Sequence, residues 1–334
     1  NKAVPAPTDL WWTFTKLPGV GNLRIGNHKE PIGFEHLVSS RFLPFLERSF
    51  NQDTFYGGFN NGFTPGALVF NTAFNERMTW ALGVYKPTNN VFAYSTNSGD
   101  WATTGRVTWL PYFENDGEEL LHLGVSGRAA STFHETIRFR TRGPERSGIA
   151  SVWPLPADTG TFHGNEMYWV NGELVGVRGP WTFQSEWLVS FVQGDVATAV
   201  GVPVGTVLYH GGYAQILYYL TGEHDHYNRK TGFFERVVPE RNAHPTDTRC
   251  PSACYPWGWL SCGAWQVGVR YNFLDLNDEG INGGVLQDVT FGLNWFLNPN
   301  FKIQWNYSAT HRATADKIGE GFIHGFGMRL AHDF

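Results

Sequence analysis

Strict alternation of apolar and polar residues, repeated in segment after segment, restricts this chain to β-structure. In 301–308, Phe301, Ile303, Trp305 and Tyr307 fall on one side of an extended backbone, and Lys302, Gln304, Asn306 and Ser308 on the other. In 265–273, Trp265, Val267, Val269, Tyr271 and Phe273 alternate with Gln266, Gly268, Arg270 and Asn272. Residues 289–295 and the stretch around Trp181–Phe191 repeat the pattern. Further alternating stretches lie near 9–16, 22–28, 66–73, 78–86, 102–112, 119–128, 165–177, 207–221 and 322–334. No segment keeps a helical period.

Half-buried strands of a soluble sandwich also alternate, so the chemistry of the two faces has to decide. Many segments approach the roughly 9–11 residues that cross a bilayer at a tilt. Their apolar faces are heavy in Trp, Tyr and Phe, the residues of interfacial girdles. The opposite faces carry Gly, Asn, Gln and Arg, small and polar groups suited to a water-filled lumen. Because lipid cannot satisfy a free sheet edge, such a sheet has to close. The expectation is an all-β fold, a transmembrane antiparallel β-barrel forming one domain over 1–334.

Composition agrees. Aromatics make up 16% of the 334 residues and charged residues only 16%, against about 25% charged in an ordinary soluble domain. Disorder needs the opposite balance, and no run of about 18 apolar residues marks a spanning helix. A formal charge of −5 gives no basic signature for nucleic acid.

Tight links at 17–21, 74–77, 114–118, 178–180 and 297–300 carry Pro, Gly and Asn turn chemistry. Long links lie at 30–65, 87–99, 129–164, 193–205, 274–284 and 313–320. Outer-membrane barrels have short periplasmic turns and longer extracellular loops, so the two kinds of link orient each strand; 222–262 breaks the pattern by its length. About 13 strands are visible, whereas single-chain bacterial barrels have even numbers. The expectation is therefore a 16-strand barrel seen in an N-terminally incomplete chain. The terminal Phe334, closing a series with Phe322, Phe326, Met328 and Leu330, resembles the C-terminal insertion signal of such barrels.

The stretch LPGVGNLRIGNHKEPIGFEHLVSSRFLPFLERSF (17–50) resembles the phosphate-selective porin O and P family. So do NEMYWVNGELVGVRGPWTFQSEW (165–187), YYLTGEHDHYNRKTGFFERVVP (218–239), GAWQVGVRYNFLDLND (263–278) and FGLNWFLNPNFKIQWNY (291–307). The resemblance covers nearly the whole chain in order. It implies a 16-stranded porin of the outer membrane, a homotrimer in the lipid bilayer. Such a porin passes small hydrophilic solutes, with some members preferring phosphate or polyphosphate. It also implies further strands before LPGVG and a long link at 223–262. No cofactor, metal or enzymatic activity is expected. The alternatives are a general, weakly selective diffusion porin and a structural or interaction barrel of the envelope.

In a porin, function resides in the charge and width of the lumen. Opposite the apolar faces fall Arg24, His28, Arg106, His122, Arg128, Arg270, Lys302 and Arg329, against the acids Glu173, Glu186 and Asp333. Cations outnumber acids by about two to one, which favours anions. In FHETIRFRTRG (133–143), His134, Arg138, Arg140 and Arg142 share one face of an extended segment, opposite Phe133, Ile137 and Phe139. Such a row would hand an anion from one guanidinium to the next; the plainer alternative is a solvated hairpin. The 30–65 link is expected to fold inward as a constriction loop. Arg41 and Arg48 would then lie near the eyelet, with Glu47 and Glu35 opposing them; an exposed or trimer-contact loop is the alternative.

Other signals carry less. DLNDEGING (275–283) begins like a calcium loop, but Leu286 stands where the bidentate Glu belongs. His224-Asp225-His226 reads as edge polarity rather than a metal site. Cys250, Cys254 and Cys262 lack paired zinc spacing; one disulfide, Cys250–Cys254 or Cys254–Cys262, is plausible in an oxidising envelope. No nucleophile elbow, HExxH or P-loop is present.

Overall fold

A computed structural model describes residues 8–57, 62–87, 100–132, 135–145, 155–243, 262–313 and 319–333. His134, Cys250, Cys254 and Phe334 lie outside them, while Cys262 is disulfide-bonded. Thirteen antiparallel strands form one sheet in sequence order. They are β1 (Leu10–Leu17), β2 (Gly21–Lys29), β3 (Phe63–Ala73), β4 (Met78–Tyr85), β5 (Ala102–Glu114), β6 (Glu119–Ser131) and β7 (Glu166–Arg178). Then follow β8 (Trp181–Gln193), β9 (Val207–Tyr219), β10 (Ala264–Asp278), β11 (Ile281–Asn298), β12 (Phe301–Ala313) and β13 (Gly321–His332). Each pairs with its sequence neighbour, and among the described residues β1 and β13 are not paired with each other. No helix among those residues is long and apolar enough to cross a membrane. The alternating stretches of the sequence are these thirteen strands.

Alternation sorts the side chains. Outward residues such as Val107, Leu123, Val170, Leu174, Ile216 and Phe291 are 39–54% exposed on an apolar surface. Inward residues of the same strands, among them Arg106, Ser126, Asn171, Glu173 and Gln215, are buried. An apolar surface of this extent greatly exceeds the few hundred Å² a soluble monomer tolerates; lipid is the solvent that suits it.

The sheet is curled. Arg106 on β5 hydrogen-bonds Gly232 O, and Arg236 pairs with Asp333 beside the end of β13. Four residues span at most about 14 Å. On a flat sheet the eight strand steps from β5 to β13 would separate these strands by about 38 Å. Even with two extended arginine side chains, only a curved wall brings them within reach.

One expected link is corrected. Residues 274–284 are the continuing strands of a hairpin, joined by Glu279 (φ 46°) and Gly280 (φ 80°). Two successive positive φ values are the signature of a tight hairpin turn, which explains Gly after an acidic residue. The stretch looked like a loop because its outward face turns polar, with Asp275 and Asn277, while its inward Leu274 and Leu276 are fully buried. Those leucines belong to an interior apolar cluster at the long-link end, with Phe50, Phe55, Phe139 and Trp169.

Arginine on the lipid-facing side should be costly. Leu174→Arg is expected to lower the unfolding free energy by about 2–4 kcal/mol. Val200→Arg, at an 85% exposed position between strands, should change it by less than about 0.5 kcal/mol. Urea titration in lipid vesicles, followed by tryptophan fluorescence, measures both.

Candidate functional site

Two segments shape most of the space enclosed by the curled wall, beside residues 135–145 and 155–163, which also pack inside it. The first, residues 30–57, leaves the long-link end of β2 and carries a helical turn, α1 (Phe34–Leu37), and a short π-helical stretch at Gln52–Tyr56. Glu186 of β8 accepts from the backbone N–H groups of Phe34 and Glu35, both at 2.7 Å. Gly33 precedes them with φ 72° and donates to Ser126 Oγ; a Cβ there would lie 2.8 Å from Glu186 Oε2. Glycine is required by both backbone and space. At the other end of the turn, Lys29 donates to the carbonyls of His36 and Val38. Arg48 donates to those of Glu35 (3.0 Å) and Val38 (2.6 Å).

Beyond the turn this segment has no strand partners for its carbonyls, and buried carbonyls need donors. The wall supplies them. Leu43 O accepts from Lys302 and Gln304, Pro44 O from Asn294, Leu46 O from Arg329 and Glu47 O from Arg270. Carboxylates of the segment complete the attachment: Glu30 to Arg128 (2.8 Å), Glu35 to Arg270 (3.0 Å) and Asp53 to Arg142 (2.8 Å).

The second segment, 220–243, enters from the short-turn end. Tyr227–Asn228 and Phe233–Phe234 form a small hairpin, whose Tyr227 hydroxyl hydrogen-bonds His122 (2.7 Å). Arg106 reaches both ways, pairing with Glu173 at 2.7 Å and donating to the carbonyls of Thr231 and Gly232. Glu173 also meets His122 at 3.2 Å. Arg229 at the hairpin tip donates to Asn75 O in the β3–β4 turn.

What remains open is a cavity of about 920 Å³ between the inner faces of β2–β5 and the two inserted segments. Its lining runs from Thr8, Asp9 and Lys29 at the long-link end to Asn71 and Lys230 at the short-turn end. Eight lining residues are basic (Arg24, Lys29, Arg41, Arg48, Arg106, Arg142, Lys230 and Arg236) and four acidic (Asp9, Glu47, Asp53 and Glu235). Lys29 and Arg48 hydrogen-bond backbone carbonyls, and Arg24 hydrogen-bonds the Thr13 hydroxyl. A sequence match to the family described as phosphate-selective porin O and P extends over residues 8–331.

The chain belongs to the phosphate-selective porin O and P family. A protein of Caulobacter vibrioides, itself described as uncharacterized, is 25% identical over 330 residues, covering 93% of this chain and 58% of the relative. Porin O of Pseudomonas aeruginosa is 25% identical over 202 residues, 57% of this chain and 39% of that protein. The chain thus spans about half the length of the curated relatives it matches.

For a porin O and P chain, the residues singled out from the sequence divide into four groups. Arg106, Arg128, Arg138, Arg142 and Arg270 are each ion-paired, with Glu173, Glu30, Asp158, Asp53 and Glu35. Lys302 and Arg329 are engaged by the inserted backbone, and Arg329 also by Gln304. Arg24, Arg41 and Arg48 line the cavity, Arg41 lying 3.6 Å from Asp333. Arg140 is exposed, in a short antiparallel pair opposite Asp158. Arg138 and Arg142 therefore do not stand as an unopposed row. The two-to-one excess of cations expected inside the wall is offset by Glu30, Glu35, Asp53 and Asp158. Alternation cannot count those acids, because they arrive on non-repetitive segments. Lys230 and Arg236 were missed for the same reason, and Lys29 because alternation along β2 gives it the face opposite His28.

Removing one partner of a buried ion pair strands the other. Arg106→Met is expected to cost about 3–5 kcal/mol, with much of the loss recovered in Arg106→Met/Glu173→Leu. Equilibrium unfolding of the single and double variants checks this.

The acids on the inserted segments also set a pH limit. Burial opposes ionisation of Glu30, but the Arg128 charge and hydrogen bonds from Arg128, Thr104 and Thr64 outweigh it and hold its pKa below the usual range. Asp158 is likewise opposed by burial, and Arg138 with the Gly160 N–H holds it down. A depressed carboxyl contributes stability above its unfolded pKa, about 4, and loses it as pH falls through the lower folded value. Hydrogen exchange in residues 30–57, corrected for intrinsic rates, should rise only below about pH 4. In Glu30→Gln it should already be raised at neutral pH.

Proposed function

We propose that this chain belongs to an outer-membrane porin, a homotrimer whose protomers pass small hydrophilic solutes by diffusion and favour anions such as phosphate. The observation that carries this reading is the cavity's charge: eight basic residues line it against four acidic ones. Residues 30–57 act as the constriction, pinned to the wall by Glu186, Arg128 and Arg270. Passage is passive, so selectivity is a balance between partial dehydration and weak, reversible contacts with these cations. Porin O of Pseudomonas aeruginosa, a relative by sequence, supports the porin assignment.

The alternative, a weakly selective diffusion porin, draws on the arginine–carboxylate pairs. Each pair cancels a charge that would otherwise act on a permeant, so the net field is smaller than the arginine count suggests.

Planar-bilayer reversal potentials across a potassium chloride gradient separate the two. Anion selectivity that falls by at least about half in Arg24→Gln and Arg48→Gln, with added phosphate reducing chloride current, supports the anion porin. Near-ohmic, unselective conductance supports the general porin, and the absence of conductance overturns both.

A further inference from the structure

The cavity is not lined as a site for a fully hydrated inorganic anion alone would be. Phe42, Phe63, Phe70 and Phe233 share the lining with its basic residues. Three of these rings carry a cation over the face. Arg24 lies over Phe70 (5.2 Å) and also over Trp11 (4.1 Å). Lys29 lies over Phe63 at 5.7 Å, and Phe42 has Arg41 at 5.2 Å and Arg236 at 5.4 Å. These pairs occur at both ends of the cavity, Phe63 beside the long-link end of β3 and Phe42 near the β11–β12 turn, where Arg236 donates to Pro299 O.

A ring under a cation holds that cation in a fixed place and presents apolar surface next to it. We propose that the passage favours small organic anions with a flat apolar part, aromatic carboxylates above all, over wholly hydrophilic anions of similar charge. The carboxylate meets the cations that neutral oxygens hold, Arg24 and Lys29, while the ring loses water against Phe70 and Phe63. Each contact is weak, so an ion that enters also leaves. This inference rests on the reading of the chain as an anion-passing porin.

The full-length protein is reconstituted in planar bilayers and tested first in a potassium chloride gradient, then between potassium benzoate and potassium acetate. Benzoate is the larger ion and diffuses more slowly in water, so a simple aqueous pore yields a benzoate-to-acetate permeability ratio below unity. The expected ratio is above unity. It should fall about threefold in Phe70→Ala, and by a similar amount in Phe70→Leu, which keeps apolar bulk and removes the ring. The change in this ratio should exceed any change in chloride selectivity in both variants, because the Arg24 charge remains. A ratio below unity in the parent protein, with chloride selectivity intact, overturns the inference and leaves the porin reading standing. A ratio above unity that neither Phe70 variant alters overturns the role given to the ring. Absence of anion selectivity in chloride itself overturns the anion-porin reading, and this inference with it.

Discussion

The interior of this molecule is organised by backbone carbonyls that have no strand to pair with. A segment that leaves the sheet and crosses the enclosed space carries its peptide groups away from both water and ladder partners, and each unmet carbonyl there is costly. Lys302, Gln304, Asn294, Arg329 and Arg270 point inward from the wall at the places where Leu43, Pro44, Leu46 and Glu47 need donors. Glu186 does the converse for two N–H groups. The position of the inserted segment, and so the shape of the cavity, follows from this matching.

The same chain meets two apolar environments. Outward residues of β5–β12 present a continuous apolar surface, while the interior holds a cluster that includes Phe55, Phe139, Trp169, Tyr209 and Leu276. Inner faces are consequently not uniformly polar. Along β7 they read Met167 and Trp169, then Asn171 and Glu173, then Val175 and Val177. The polar belt is a middle zone between two packed ends. Charged pairs such as Arg106–Glu173 concentrate in that zone, where apolar packing ceases.

The sheet was legible because a strand records its two faces every second residue, and thirteen such records agree. The site was less so. Alternation assigns a face to Arg106 or Arg270 but cannot say what approaches from the opposite side. Glu30, Glu35 and Asp53 come from a segment with no repeat, and they turn three inward arginines into ion pairs. Lys29, the last residue of β2, bends to the carbonyl end of α1, so its strand position says little about its role. The hairpin at Glu279–Gly280 was obscured differently: its strands run past the apolar band, where polar outward residues imitate a loop.

The wall grips the inserted segment mainly by its main chain. A lysine that binds the carbonyl of Leu43 is indifferent to which side chain that residue carries. Placement is thereby separated from identity, and side chains such as those of Arg41, Phe42 and Glu47 can be exchanged without loosening what holds the segment. One wall can serve a range of passages, each retuned by a few substitutions along a single stretch of chain.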